Sequence, residues 1–235
     1  MSNHAAHRTT QFLWCTRGAA FVIFSLAGLI CGMFPEFFLP PHKAEILSTL
    51  PALKTMLVSQ VIFIVMFLPL MVQHRMVGIG GYLTLSAVEY IIWLGVLLPL
   101  YIVAAVLADA TIVDVIRCLL YLTAIVVFAW ILGLWAHLNR LSMAGVVFVS
   151  SLIVIVLPVI YYFFLEFSAR GTVPDWLSQI SPINRISNLA YSAGTNWYPT
   201  PIWTLLIWPL VAVAAMVVYL PIRSIKRNEE NLPND

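Results

Sequence analysis

The sequence predicts an all-α, polytopic membrane protein with six transmembrane helices, and three observations lead there. Of its 235 residues, 62% are hydrophobic and 9% charged, against about half apolar and roughly a quarter charged in an ordinary soluble domain. Six stretches approach the ~20 apolar residues that a helix needs to cross a bilayer: residues 18–34, 56–72, 90–107, 115–136, 143–165 and 201–222. Runs such as "VVFVSSLIVIVLPVIYYFFL" are apolar on every face. That suits helices satisfying their own backbone in lipid, not barrel strands that alternate.

Residues 1–17 precede the first span and contain "HAAHRTTQFLWCTR". Apolar side chains among basic and hydroxyl groups read as an interfacial helix that turns into the bundle of residues 18–222. The first apolar run ends "GLICGMFPEFF", without a clear small-x-small cleavage site, so it reads as a retained span. Between spans two and three, residues 80–89 read as a short separate helix at the inner face. Residues 90–107 already suffice to cross, which leaves Glu89 interfacial, while a carboxylate inside the bilayer would instead mark a functional site. Pro69, Pro99, Pro158 and Pro209 fall inside four spans and are expected to bend or loosen them.

Basic residues set the orientation. With the N-terminus inside, seven Lys and Arg residues lie inside (Arg8, Arg17, Arg75, Arg140, Arg223, Lys226, Arg227) and five outside (Lys43, Lys54, Arg117, Arg170, Arg185). The inside connections are much shorter, so their positive density is higher, and N-in/C-in follows. Residues 223–235 form a charged cytoplasmic tail, and the whole reads as one transmembrane domain.

The connection between spans five and six, residues 166–200, is too polar to cross. Trp176, Leu177, Ile180, Ile183, Ile186, Leu189 and Tyr191 nevertheless recur at spacings near three, which predicts amphipathic helical turns. Pro182 breaks them into a hairpin, Asp175 or Ser181 caps the pieces, and Pro182 suits a first helical position. Ile183, Ile186 and Leu189 are expected to face apolar surroundings. Asn184, Arg185 and Asn188 are expected to face water or a neighbouring subunit.

Several function classes find no support. A net charge of +2 without a basic stripe leaves nothing for nucleic acid. Cys15, Cys31 and Cys118 stand singly, without metal-ligand or disulfide spacing, and read as small core residues. No GxSxG, HExxH, GxxxxGK[ST] or paired carboxylates occur, so no catalytic residues, metal site or cofactor is expected in this chain. His74 and His137 sit at the inside ends of spans two and four, where axial ligation of a haem is the weaker alternative to ordinary interfacial histidines.

Six spans with both ends inside, an amphipathic N-terminal helix, a short inside helix and an outer hairpin with the break "QISPINRISNLAYS" together resemble the membrane subunit of an ABC-2 type transporter. The "ER-x-x-GT" run common in that family's inside helix is replaced by "QHRMVGIGGYLTLSAVE". The resemblance implies an exporter of an amphipathic substrate in the bacterial inner membrane. It also implies a second permease copy or related permease subunit, and a separate ABC ATPase subunit carrying ATP and Mg. Arg75, Gly80, Glu89 and Arg140 would then couple to the ATPase, and Pro182, Asn184, Arg185 and Asn188 would shape an outer gate. The alternative from another class is a non-catalytic scaffold or accessory subunit of a respiratory or assembly complex.

Overall fold

The computed structural model describes residues 2–34, 52–72, 79–108, 110–138, 143–167, 181–191 and 210. Among them the secondary structure is helical, with no strand. Five stretches are long and apolar enough to span a membrane: Thr16–Met33, Ala52–Pro69, Thr84–Leu107, Ile112–Ala136 and Ala144–Phe164. These correspond to the first five expected spans and make this a multi-pass membrane protein. The sixth expected span, residues 201–222, lies outside the described residues apart from Leu210.

The first four helices are α1 (Ser2–Met33), α2 (Ala52–Val72), α3 (Ile79–Leu107) and α4 (Ile112–Leu138). The fifth span joins α5 (Met143–Ser151), a π-helical turn (Leu152–Val156) and α6 (Leu157–Phe167), and a short α7 (Pro182–Tyr191) follows. Two of these differ from the sequence reading. Residues 1–17 do not form a separate helix with a turn at residue 18, because α1 runs unbroken from Ser2 to Met33. Residues 80–89 are likewise not a separate inside helix, since α3 passes through Tyr90 without interruption. The reason is local: "IGGYLTLSAVEYIIW" contains no proline and no cap that would stop a helix, and a carboxylate alone does not end one.

The fifth span shows what an internal proline does. Pro158 lacks an N–H and crowds the carbonyl four residues back, which is Val154, inside the π-helical turn. There Leu157 N–H donates to the Leu152 carbonyl, five residues back. The helix widens there, the Leu157 bond reaching one residue further back than in an α-helix, a common accommodation at a π-bulge.

The start of α4 is fixed by a reciprocal cap. Thr111 Oγ1 accepts from Asp114 N–H at 3.3 Å, while Asp114 Oδ2 accepts from Thr111 N–H at 3.2 Å and from the Thr111 hydroxyl at 2.6 Å. Arg117 adds an ion pair to Asp114 at 3.8 Å. This is a capping box with Asp in the third helical position. Thr111→Ala is expected to lower stability by about 1 kcal/mol, read as an earlier midpoint in SDS titration of the purified protein.

Neighbouring spans run antiparallel, and α2 is the hub. Ser25 pairs with Gln60 while Phe24 meets Phe67, and Gln60 meets Tyr101 while Phe63 meets Trp93. In each pair, rising numbers on one helix meet falling numbers on the next. The α2 span is 61% buried, against 44% for α4 and 28% or less for the others. It therefore sits inside, touched by α1, α3, α4, α5, α7 and the π-helical turn. Its contact with α1 rests on Gly28 and Gly32. A Cβ at Gly28 would come within 2.8 Å of the Thr55 carbonyl and 2.9 Å of Met56 Cα, and one at Gly32 within 2.7 Å of Ala52 Cα. Two glycines four residues apart thus let the backbones touch, the small-xxx-small device of membrane helices. Cys118 is buried as expected, but Cys31, between those glycines, faces outward and is not a core residue.

Candidate functional site

Two polar features lie inside this apolar bundle. The first is a chain of hydrogen bonds through three spans. Gln60 is fully buried. Its Nε2 donates to Ser25 Oγ at 3.0 Å, and its Oε1 accepts from the Tyr101 hydroxyl at 2.8 Å. Ser25 in turn donates to the Phe21 carbonyl at 2.8 Å. The helical rise places Gln60 about 12 Å along α2 from Ala52, near the middle of the Ala52–Pro69 span. Tyr90 and Thr123 make a second link at 3.1 Å, from α3 to α4.

The second feature is α7. Ser181 caps it, with Ser181 Oγ accepting from Asn184 N–H at 3.4 Å and the Ser181 carbonyl from Arg185 N–H at 2.9 Å. Pro182 takes the first helical position, where a missing N–H costs nothing. The helix packs onto α2, α4 and the π-helical turn. Ile186 and Leu189 are buried and Ile183 packs against the core, as the apolar spacing predicts. Asn188 is exposed and Asn184 half-buried.

Arg185 departs from its expected place. It is 5% exposed rather than turned to water. Amphipathic spacing assigns a polar face to solvent, but α7 lies against protein, which buries Arg185 within electrostatic reach of Tyr121. Burial lowers the guanidinium pKa, and the neighbouring Tyr121 acts in the opposite sense. The Tyr121 hydroxyl, the Ser150 hydroxyl and Asn184 Nδ2 are also buried, with no hydrogen-bond partner among the described residues. The carriers of these three groups belong to α4, α5 and α7.

No protein-family model matches the chain, and no curated protein or solved structure matches it. Of the residues expected at the inner face, Arg75 and Arg140 lie outside the described residues, and Gly80 belongs to the first turn of α3. Glu89 is corrected: it is 6% exposed, more than one turn inside the Thr84–Leu107 span, and not displayed on a separate inside helix. The His74 side chain and that of His137 lie outside the described set, as does the first half of the outer hairpin. Among the described residues no group of His, Cys, Asp and Glu gathers to hold a metal.

Ser25, Gln60 and Tyr101 went unnoticed in the sequence, though a signal exists. Gln60 is the one amide inside the "MLVSQVIFIVMFLPLMV" stretch, and an amide in hydrocarbon needs partners on other helices. The "GLICG" spacing of Gly28 and Gly32 is a second signal of the same kind.

Proposed function

We propose that the chain is the permease subunit of an ATP-driven ABC transporter of the ABC-2 type, exporting an amphipathic substrate across the bacterial inner membrane. It works with a separate ATPase subunit and a second permease copy or related permease subunit. The observation that carries this reading is α7, a short capped helix ahead of the last apolar stretch that packs into the bundle with a buried Arg185. Buried polar groups without partners cost about 1–3 kcal/mol each. Among the described residues the Tyr121, Ser150 and Asn184 groups lack partners, which favours a second arrangement that supplies them, as a gate requires.

The continuity of α3 alters how such a machine transmits force. A push delivered near Gly80 travels along one helix to Tyr101 and the Gln60 network, without a hinge at Tyr90. The α3 span is only 28% buried, so it shifts at less cost than α2. Arg75, Gly80 and Arg140 remain the proposed ATPase-coupling positions, while buried Glu89 is removed from that surface. Pro182, Asn184, Arg185 and Asn188 are the proposed outer gate.

Purification of the tagged chain from its own host is expected to bring down an ABC ATPase. Co-reconstitution of the two is expected to raise vanadate-sensitive ATP hydrolysis several-fold over the ATPase alone. Co-purification with redox subunits instead, or a Soret band on the chain, would replace this reading with the accessory-subunit or haem alternative.

A further inference from the structure

A groove of about 510 Å³ runs between α1 and α3. Gly18, Ala19, Val22 and Ile23 form one wall, and Glu89, Ile92, Trp93 and Val96 the other. Each set follows helical spacing, so two adjacent stripes face one another. Gly18 and Ala19 create the space by withholding bulk from α1, and Trp93 lies close to that bare backbone: a Cβ at Gly18 would meet its Nε1 at 3.2 Å. Phe21 holds the Trp93 ring from behind at 5.0 Å between centroids. Ile23, Ile92 and Val96 are 63%, 52% and 59% exposed, so the groove opens sideways to the lipid.

The groove has the size and lining of a small-molecule site, mostly apolar with a few placed polar groups. Its charged member is the Glu89 carboxylate, at a depth where an acidic side chain is costly and is by default a functional candidate. A carboxylate has two oxygens and about four lone-pair sites, so a contact within the chain leaves capacity for another donor. A carboxylate beside an indole, between apolar walls open to lipid, complements an apolar body bearing one positive charge. Such a ligand sets its positive charge against the buried acid, and aromatic rings attract cations as well.

We propose that this groove binds an amphipathic cation entering from the bilayer, with Glu89 as its counter-charge and Trp93 as its aromatic wall. The site stands independently of the permease reading, because it needs no partner subunit. The test uses the purified full-length chain in nanodiscs of zwitterionic lipid and radiolabelled tetraphenylphosphonium as the probe. Displaceable binding is expected, competed by unlabelled tetraphenylphosphonium and not by neutral triphenylphosphine. Glu89→Gln keeps the shape and removes the charge, and is expected to weaken binding about tenfold. Ile23→Trp fills the groove from an exposed position without touching the acid, and is expected to do the same even if Glu89→Gln proves hard to fold. Equal binding by wild type and both variants, or full displacement by triphenylphosphine, would mean simple partition into lipid and overturn the proposal. Absence of binding because a second copy covers the groove, seen as dimers that Ile23→Trp converts to monomers, would overturn it as well.

Discussion

Gly28→Leu is expected to separate α1 from α2 and to cost about 3 kcal/mol, the upper end of ordinary overpacking effects. The reason is that the obstacle is backbone. Even a bare Cβ at this position lies 2.8 Å from the Thr55 carbonyl and 2.9 Å from Met56 Cα, besides colliding with Ser59 Oγ. A side chain can rotate away, but α2 cannot, since six other elements pack around it. Separation would also loosen the Phe21, Phe24, Phe63 and Phe67 rings, whose centroids lie 5.3–5.8 Å apart across the interface, and stretch the Ser59 bond to the Phe24 carbonyl, 2.9 Å long. The SDS unfolding midpoint should fall sharply for Gly28→Leu and less for Gly28→Ala. Gly95→Ala is the control: nothing lies within 4 Å of its Cβ, and the change should stay within about 0.5 kcal/mol. Equal midpoints for Gly28→Leu and wild type would show that the backbones do not touch there.

The parts of this architecture that depend on a few consecutive residues were legible in the sequence. Apolar length located five spans. The Ser181 and Pro182 pair located the start of α7, because a cap and a first-turn proline act within four residues. The parts that depend on a partner helix were not legible. Gly28 is ordinary in a membrane helix until Thr55 and Ser59 are known to face it, and Gln60 is one polar residue until Ser25 and Tyr101 arrive on either side. Glu89 is not legible as buried because the minimum length for crossing is met from Tyr90 onward, yet nothing prevents a span from starting six residues earlier. Arg185 was misplaced because a helical wheel knows only water and lipid, whereas α7 rests on protein that supplies a buried phenol.

Gln60→Leu is expected to destabilise the bundle by roughly 2–4 kcal/mol despite making it more apolar. Two interhelical hydrogen bonds disappear, each worth about 0.6 kcal/mol on average and up to about 1.7 in membrane proteins. The Tyr101 hydroxyl is then left in a buried site without its acceptor, a further cost of about 1–3 kcal/mol. Tyr101→Phe removes one of the same bonds and leaves the amide able to hold Ser25, but it orphans the buried Gln60 Oε1, so it should cost about 2 kcal/mol. Ser25→Ala should resemble it, since Gln60 keeps Tyr101. The double variant Gln60→Leu with Tyr101→Phe is the decisive one. It has no orphaned hydroxyl, so it should be no less stable than Gln60→Leu and is expected to recover part of the loss, giving a coupling energy of about 1 kcal/mol or more. SDS titration of the four proteins supplies that cycle. A coupling energy near zero would mean that the amide and the phenol do not bond, and that α2 and α3 are held together by their aromatic contacts alone.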